Sequence, residues 1–391
     1  MSAGLPKTVL HVVDGLGLSG KTRNLVSIVS RIDRRRFAPV VCRLDTEPSP
    51  LVAQLEAAGV PLHTIPCRPG VNPFAVIALA RLAWSIRAEV VHAHNPRPML
   101  YGGLAARAIA VRATVGFLSA FACQMPDRSY AFLPQPLATT SRRNVYRNRL
   151  AAASMRVIVT VSSSLGRRFC SYNDVPTEKL RVIGYAADVA AVDTVRDERA
   201  WTLRRQLGFQ DEDVVIGSVG RLVEQKDYPT ELRAFAIAAE RAPNLRMAIA
   251  GDGPLRSTLE GLARTLGIAD RVRFLGQVND VPALLRAVDI FALASKFEPY
   301  GVALVEAKAA GLPIVATAVN EIPEIVGDGV SGLLAPPENA SNLAALFAKL
   351  ALDRSSRRRL GARARIEAEQ HSLPAAVAAY ETLYEELLPR N

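Results

Sequence analysis

The chain has few cysteines and no long apolar run, and each shortage excludes a class of protein. Its four cysteines, Cys42, Cys67, Cys123 and Cys170, lie far apart without a C-x-x-C pair, which argues against a disulfide framework or a zinc site. No apolar stretch reaches the roughly 18 residues that a membrane-spanning helix needs. The start, MSAGLPKTVLHVVDG, is too short in apolar residues for a secretory signal. We therefore expect a cytoplasmic protein with reduced thiols and no metal.

Positive charge is concentrated in the first half of the chain. Residues 1–195 carry 24 Lys and Arg against 11 Asp and Glu, a net charge of +13, whereas residues 196–391 carry 24 against 26, a net charge of −2. A basic half indicates contact with something anionic: a nucleic acid, an anionic membrane surface or a phosphorylated substrate. A solvated basic surface that aids solubility is the alternative. No nucleic-acid-binding motif is present, so no nucleic-acid partner is expected.

Short β-branched runs alternate with longer helical patterns along the whole chain, which predicts parallel sheets with right-handed crossovers. The predicted strands lie near residues 7–13, 38–44, 62–66, 89–93, 112–117, 156–161, 180–183, 213–219, 245–250, 271–275, 289–294, 313–317 and 332–335. A chain of 391 residues is longer than a single hydrophobic core usually organises, so two domains are expected. We predict two facing Rossmann-like α/β domains. One comprises residues 1–190 together with a C-terminal helix (373–391) that packs back on it, and the other residues 191–372.

The first predicted turn matches two phosphate-binding patterns. Residues 15–22, GLGLSGKT, match G-x-x-x-x-G-K-[ST], and residues 15–20 match G-x-G-x-x-G. A phosphate-loop enzyme also needs an acidic residue at a strand end to complete its Mg²⁺ site, and no good candidate exists. Asp45 and Glu47 follow the second predicted strand, where a dinucleotide-binding site needs an acidic residue for the ribose, so such a site is a further alternative. A glycine-rich turn is favoured, and a phosphate-loop ATPase or kinase using Gly15–Thr22 is the alternative.

More specific motifs follow residue 213. In order, they are SVGRLVEQKDYP, IAGDGP, VRFLGQVNDVPALLRAVDIFALAS and KFEPYGVALVEAKAAGLPIVATAVNEIPEIVGDGVSGLLAPP. These blocks resemble the donor-binding domain of the family 4 retaining glycosyltransferases, which have the GT-B fold. The resemblance is specific over most of residues 213–388 and looser over residues 7–184. Its sharpest element is the pair Glu298 and Glu306, which matches the family's E-x7-E motif.

The resemblance implies roles for residues at a donor site. It implies that Glu298 contacts the donor sugar and that Glu306 binds the ribose hydroxyls of a nucleotide-diphosphate sugar. Arg221 and Lys226 are the expected cations for the diphosphate, whose charge grows as the glycosidic bond breaks. The backbone from Gly301 to Leu304, at the start of a predicted helix, is expected to donate N–H groups to the same phosphates.

The donor set therefore includes Val302 and Leu304, and a residue of the first turn completes it. In the family this turn is glycine-rich and lies against the donor diphosphate across the cleft, which implies that Gly20 approaches a phosphate. Glu298, Arg221 and Lys226 are the predicted catalytic residues. No cofactor and no metal is expected, because the nucleotide-diphosphate sugar is a co-substrate.

The chain departs from the family pattern on the acceptor side. Gly116 stands where many members carry a His at the end of the fifth strand, and His94 lies at another predicted strand end. Both are candidate acceptor-side residues. Tyr185 and Ala186 replace the family's Asn and Gly, and Asn320-Glu321 replaces a common glycine pair. Transfer activity is expected, with a non-catalytic sugar-nucleotide-binding protein as a further alternative.

The expected acceptor contacts the basic N-terminal half. Residues 139–156, TTSRRNVYRNRLAAASMR, interleave arginines with Tyr146, Leu150 and Met155, as in an amphipathic surface helix. We expect an enzyme of the hexosyltransferase type that transfers a sugar, with UDP as the expected nucleotide, to a glycan, glycolipid or lipid-linked acceptor of cell-envelope polysaccharide synthesis. Peripheral contact with the inner face of an anionic membrane is expected.

Overall fold

A computed structural model of the chain describes residues 5–17, 19–67, 72–119 and 142–388. The described residues divide into two compact units, with boundaries between Tyr185 and Ala186 and between Ser372 and Leu373. Unit 1 therefore combines the first half of the chain with its C-terminal segment, and unit 2 is the part between. The sequence placed the first boundary at residues 190–191, five residues later.

Unit 1 is built on a parallel sheet of seven strands in the described residues, in the order β3-β2-β1-β4-β5-β6-β7. The strands are β1 (Lys7–Val13), β2 (Phe37–Arg43), β3 (Leu62–Thr64), β4 (Val90–His94), β5 (Ala113–Leu118), β6 (Val157–Thr160) and β7 (Leu180–Val182). The helices are α1 (Gly20–Val29), α2 (Pro50–Ala57), α3 (Pro73–Ser85), α4 (Pro96–Ala108), α5 (Arg142–Ala153) and α6 (Ser163–Asn173).

Unit 2 is built on a second parallel sheet, of six strands in the described residues, in the order β10-β9-β8-β11-β12-β13. The strands are β8 (Val214–Val219), β9 (Leu245–Ala250), β10 (Val272–Gly276), β11 (Ile290–Leu293), β12 (Ile314–Thr317) and β13 (Gly332–Ala335). The helices are α7 (Val189–Asp193), α8 (Asp197–Gln206), α9 (Tyr228–Arg241), α10 (Arg256–Thr265), α11 (Val281–Arg286), α12 (Val302–Ala309), α13 (Ile322–Ile325), α14 (Ala340–Leu352) and α15 (Arg354–Ala368).

The C-terminal helix α16 (Leu373–Leu387) packs on unit 1, as the sequence predicts. Tyr384 is fully buried, with its ring edge against Phe37 and its hydroxyl 2.7 Å from Nδ1 of His92. On the next turn, Glu381 accepts hydrogen bonds from the backbone N–H of Asp33 (2.7 Å) and from Arg36 (2.5 Å). The helix is therefore held by an apolar seam and by charged hydrogen bonds at its rim.

The two parallel sheets confirm the predicted fold class. Parallel strands that are covered by helices on both faces read as continuous apolar runs, which is why each of the thirteen predicted strands overlaps an observed one. One placement is corrected. Gly116 lies two residues before the end of β5 and not at its end, because the strand continues to Leu118.

Three of the cysteines, Cys42, Cys67 and Cys170, are free thiols, and Cys123 lies outside the described residues. Among the helices that the structure describes, none is both long and apolar enough to cross a membrane.

Candidate functional site

The strand order of unit 2 places a crevice at the carboxyl ends of β8 and β11. The chain proceeds from β8 outward to β9 and β10, and then returns to form β11 on the other side of β8. Open parallel sheets bind ligands at such a switch point, where the loops after the two central strands diverge. The loop after β8 contains Gly220 and Arg221, and the loop after β11 runs from Ala294 to Gly301. The sequence-predicted donor residues of unit 2 therefore belong to this one edge of the sheet.

Close backbone packing supports the loop after β8. The N–H of Gly220 donates to the carbonyl of Ala250 at 2.9 Å, and the N–H of Leu222 donates to the carbonyl of Asp252 at 3.0 Å. A side chain at Gly251 would place its Cβ 1.8 Å from the carbonyl oxygen of Gly220, and Gly251 also has a φ of +141°. Only glycine fits at this position, because both the contact and the backbone conformation exclude a Cβ. The turn at residues 251–253, GDG, thus packs against and fixes the backbone of the loop that carries Arg221.

Lys226 and Glu298 form an ion pair across the two loops. The Lys226 Nζ donates to Glu298 Oε2, and the side chains are 17% and 7% exposed. Ser295 Oγ donates to the same carboxylate oxygen at 3.2 Å. Asn320 Oδ1 accepts from the backbone N–H of Glu298 at 3.2 Å. Two residues that the sequence assigned separately to a phosphate and a sugar are therefore in direct contact, and Ser295 and Asn320 also hold Glu298 in place.

The start of α12 is shaped by Gly301. Gly301 has a φ of +84°, and a Cβ there would lie 2.7 Å from Leu304 Cδ1 and 3.3 Å from Glu298 Cγ. The first N–H groups of a helix lack intrahelical acceptors and favour anions. Glu306 is partly buried on the second turn of the same helix, and Val302 is partly buried on its first turn. The Leu304 N–H already donates to the Gly301 carbonyl at 2.8 Å, so Gly301, Val302 and Ala303 are the remaining candidates among the predicted amides.

Arg221 differs from Lys226 in its surroundings. Its side chain is exposed, and its guanidinium makes no hydrogen bond or ion pair with another residue in the described ranges. It directly follows Gly220 at the switch point. An exposed cation at the carboxyl end of a central strand is available to a phosphate without first breaking an internal contact.

The first turn of unit 1 has the geometry of a helix cap. Ser19 is the N-cap residue of α1, and the Thr22 hydroxyl contacts Ser19 Oγ at 2.9 Å, the Ser19 carbonyl at 3.0 Å and the Gly17 carbonyl. Thr22 is 5% exposed. A phosphate loop needs this hydroxyl to bind Mg²⁺, whereas here the hydroxyl is hydrogen-bonded to Ser19 and Gly17 in the N-cap of α1. Lys21 and Gly20 are exposed. The structure therefore does not support the phosphate-loop alternative.

Asp45 has a packing role behind the same turn. A Cβ at Gly15 would lie 1.8 Å from Asp45 Oδ2, so glycine is needed for the carboxylate to approach the backbone. Burial raises the pKa of Asp45. The close approach of Asp45 therefore explains the glycine at position 15 of the G-x-G-x-x-G pattern, and no bound dinucleotide is needed to explain it.

The two acceptor-side candidates face opposite sides of the unit 1 sheet. His94 ends β4 and lies 3.3 Å from His11, with ring nitrogens facing each other. Gly116 is buried, and a Cβ there would lie 2.6 Å from Met99 Cε and 3.0 Å from Met155 Cγ, inside the helix-covered core. The structure therefore places Gly116 in the core and leaves no room there for a histidine. Tyr185 and Ala186 are also buried.

Comparisons with known proteins fit this geometry. Residues 19–190 match the family described as "Glycosyltransferase Family 4", and residues 199–367 match the family described as "Glycosyl transferases group 1". The two halves of the chain thus match two glycosyltransferase families, and the protein is a glycosyltransferase. This confirms the resemblance to a GT-B glycosyltransferase on which the sequence analysis relied.

The glycosyltransferase is similar to several curated relatives. It is 27% identical to an alpha-D-kanosaminyltransferase of Streptomyces kanamyceticus over 76% of this chain and 77% of the relative. It is 36% identical to a D-inositol 3-phosphate glycosyltransferase of Corynebacterium jeikeium over 55% of this chain and 54% of the relative. The chain spans about half the length of some of the curated relatives it matches.

Solved structures share the fold of this glycosyltransferase. HepE of Anabaena, solved in complex with UDP, is 22% identical with a TM-score of 0.82, covering 97% of this chain and 100% of that protein. HepE in complex with UDP-glucose has a TM-score of 0.79. At this identity the likeness shows the two-domain GT-B fold alone.

Sequence reasoning missed one ionisable residue of the glycosyltransferase site, Glu231. It is fully buried on α9, and Ser218 Oγ donates to its Oε2 at 3.4 Å, while its Oε1 has no partner among the described residues. The pKa of Glu231 is raised to about 7, chiefly by burial and in part by the nearby Asp227, while hydrogen bonds from Ser218 and the Ala294 backbone and the charge of Lys226 act to lower it. In the sequence Glu231 reads as an ordinary helix residue, and its burial follows only from how α9 packs on the sheet.

The raised pKa of Glu231 predicts a pH-dependent stability. The folded protein holds the Glu231 proton up to about pH 7, whereas the ordinary pKa of a glutamate, expected in the unfolded chain, is 4.5. The contribution of this carboxyl group to stability is therefore greatest below about pH 4.5, is lost as pH rises through about 7, and does not change further above that pH. Glu231→Gln is expected to be more stable than the unchanged protein above pH 7 by up to ~3 kcal/mol. Urea unfolding at pH 5 and pH 8 measures this.

Glu240→Gln, an exposed change on the same helix, is the matched control and should show no difference between the two pH values. An equal gain for both variants at both pH values would contradict the burial of the Glu231 carboxylate.

Proposed function

We propose that the protein is a retaining glycosyltransferase that moves a sugar from a UDP-linked donor to a glycan, glycolipid or lipid-linked acceptor. The observation that carries the proposal is the buried Lys226–Glu298 pair beside the Gly301 turn, at the switch point of unit 2. These residues match the family's donor motif, and residues 199–367 match the group 1 family.

We assign the donor diphosphate to the part of this site where cationic side chains and the start of α12 come together. The first N–H groups of α12 and the exposed Arg221 are the proposed phosphate ligands, with Lys226 beside them. As the sugar leaves, negative charge grows on the diphosphate. Fixed N–H groups and cations stabilise that charge more in the transition state than in the ground state, and this difference lowers the barrier. The site therefore acts on the leaving group and requires no metal for this task.

The two glutamates are assigned to hydroxyl groups. A carboxylate accepts hydrogen bonds from adjacent hydroxyls, and the family resemblance gives Glu306 the ribose and Glu298 the donor sugar. The Lys226 and Ser295 contacts hold the Glu298 carboxylate in one orientation. In the proposed retaining reaction, the acceptor attacks on the face that the nucleotide leaves, and the departing phosphate takes the acceptor's proton. This mechanism needs no side-chain base, which is compatible with glycine at position 116.

A structural similarity supports UDP as the nucleotide. HepE, which shares the fold, was solved with UDP and with UDP-glucose. The curated relatives are named for transfer of kanosamine and for transfer to D-inositol 3-phosphate. These names set the classes of donor and acceptor with which an assay should begin.

The test is thermal unfolding of the protein with UDP, UDP-glucose, UDP-N-acetylglucosamine, GDP-mannose or Mg-ATP, followed by a transfer assay with the donor that stabilises. We expect a UDP-sugar to raise the midpoint, and ligand at one hundred times its dissociation constant adds ~2.7 kcal/mol. Glu306→Ala should abolish the shift, whereas Glu240→Ala, an exposed control, should keep it. NMR of the product gives the anomeric configuration.

Each contrary result has a distinct meaning. Stabilisation by Mg-ATP alone, lost in Lys21→Ala, would overturn the proposal in favour of a phosphate loop. A UDP-sugar shift without transfer to any acceptor tested would favour the second candidate, a non-catalytic sugar-nucleotide-binding protein. An inverted product would contradict retention.

The basic surface of unit 1 supports a membrane-bound acceptor. Helices α3, α4 and α5 are neighbours in contact and expose Phe74 (79%), Trp84 (74%) and Tyr146 (65%). Residues 72–112 contain five arginines and one acidic residue, and residues 142–156 contain five arginines and none. Aromatic side chains among cations suit the interface of an anionic bilayer. Residues 139–141 of the predicted surface helix lie outside the described residues.

Membrane contact predicts salt-sensitive binding to anionic vesicles. We expect co-sedimentation with phosphatidylglycerol-containing vesicles at low salt and little with phosphatidylcholine alone. The double variant Arg81→Ala/Arg147→Ala should bind roughly 30-fold more weakly, since each cation contributes about 1 kcal/mol near the surface. Leu352→Ser, which removes an exposed apolar side chain of unit 2, is the control. Equal binding of all three proteins would contradict the assignment.

A further inference from the structure

Three of the chain's five histidines meet on one face of the unit 1 sheet. His11 on β1 pairs in register with His92 on the adjacent β4, and His94 lies two residues further along β4. Because alternate residues of a strand point to the same face, the register brings all three imidazoles together. One ring nitrogen from each lies within 4.8 Å of the others. The His92 and His94 rings stack with centroids 4.3 Å apart.

The cluster contains polar atoms that the protein leaves unsatisfied. His11 and His92 are 1% and 2% exposed, and the Nε2 atom of each is buried without a hydrogen-bond partner among the described residues. A buried polar atom without a partner costs free energy, and two such atoms in one cluster need an explanation. Both belong to side chains that bind metals in their neutral form.

The surroundings keep these histidines neutral. Burial lowers the pKa of His11 to about 3, and burial together with the neighbouring imidazoles lowers the pKa of His92 and His94 well below 6.5. Lys21 also lowers the pKa of His94. Neutral imidazoles have free lone pairs at physiological pH, so no proton needs to leave before an ion binds.

Tyr384 fixes the orientation of the His92 ring. Its Nδ1 lies 2.7 Å from the hydroxyl of Tyr384, on α16. Histidines that bind metals usually engage their other ring nitrogen in a hydrogen bond, which fixes the tautomer and the ring orientation. With Nδ1 engaged by Tyr384, the unpartnered Nε2 is the atom that remains for an ion.

We propose that His11, His92 and His94 form a binding site for a transition-metal ion, with Zn²⁺ as the natural occupant, that joins β1, β4 and α16. Three imidazoles leave a fourth position for water, a common coordination for zinc. Zn–N bonds of about 2.0–2.1 Å place tetrahedral ligands about 3.4 Å apart, so nitrogen atoms that now lie within 4.8 Å of one another must move closer together as the ion binds. Asn24, Phe117 and Tyr380 also line the cavity around these rings. The proposal is independent of the transfer reaction, in which this ion has no assigned step.

The sequence alone did not predict this site. His11 and His92 are 81 residues apart, and the alternating histidines of VVHAHN are also compatible with ordinary packing. The evidence appears only when the parallel pairing of β1 with β4 is known.

The test uses tag-free, chelator-treated protein, because a histidine tag would itself bind metal. Titration with Co²⁺ should give visible d–d absorption that saturates at one ion per chain and is displaced by Zn²⁺. Zn²⁺ should also raise the thermal midpoint, whereas Mg²⁺ should not, because it prefers oxygen ligands. His94→Gln should weaken Co²⁺ binding at least 100-fold, and Tyr384→Phe should weaken it by about 10–100-fold.

His63→Gln is the matched control, since His63 is exposed on β3 and outside the cluster. Circular dichroism and unfolding of the metal-free variants check that each one folds. Equal Co²⁺ spectra for the unchanged protein and His94→Gln would overturn the proposal. So would sulfur-to-cobalt charge transfer, which would assign the ion to the cysteines, or the absence of any Zn²⁺-dependent rise in the midpoint.

Discussion

Replacing Arg221 by alanine is expected to lower kcat by about 10²–10³-fold, the usual effect of removing one preorganised donor to a developing charge. The guanidinium is exposed and has no partner in the described part of the chain, so its loss breaks no internal contact. The thermal midpoint should therefore stay the same, because surface substitutions usually change stability by less than about 0.5 kcal/mol. Steady-state kinetics with saturating donor, together with a thermal scan, measure both effects.

Arg233→Ala is the control for this prediction. Arg233 is also exposed and belongs to α9, away from the loop after β8. It should keep kcat unchanged. If Arg221→Ala raised KM for the donor but left kcat unchanged, the side chain would contribute uniform binding and not transition-state stabilisation. A fall in the thermal midpoint would show instead that Arg221 has a structural role.

The elements of this fold could be predicted because their causes are local. β11 reads IFAL and β12 reads IVAT, and buried parallel strands of this kind are apolar on both faces. The donor motif could also be placed, since Glu298 and Glu306 share one short segment. What sequence reasoning could not give is contact between distant segments: Lys226 and Glu298 are 72 residues apart and meet only because β8 pairs with β11.

Two positions in unit 1 illustrate the same limit. The motif G-x-x-x-x-G-K-[ST] specifies residue types and not hydrogen bonds, so it could not show that the Thr22 hydroxyl caps α1. Gly116 was expected at a strand end, whereas β5 runs two residues further and the missing side chain would enter the core. Strand ends are the least certain feature of a hydrophobic pattern, and a shift of this size changes whether a residue faces a ligand.

The Lys226–Glu298 pair makes a prediction that separates stability from catalysis. Lys226→Met leaves the Glu298 carboxylate buried without its cation, which is expected to cost about 3 kcal/mol, near the lower end for a broken buried pair because Lys226 keeps some exposure. For a unit of this size the midpoint should fall by roughly 6–12 °C. Glu298→Gln, which keeps the side-chain shape, should cost less.

The double variant Lys226→Met/Glu298→Gln should recover most of the lost stability, since no buried charge remains unpaired. It should nevertheless be inactive, because the proposed phosphate cation and sugar-binding carboxylate are both absent. Urea unfolding of the four proteins gives the coupling free energy. The pair Arg256–Glu260, 3.0 Å apart on α10 with side chains that are each 36% exposed, is the less buried comparison and should couple by less than about 1 kcal/mol. Equal coupling in the two pairs would contradict the burial of Glu298. An active double variant would remove the pair from the reaction and leave it a purely structural contact.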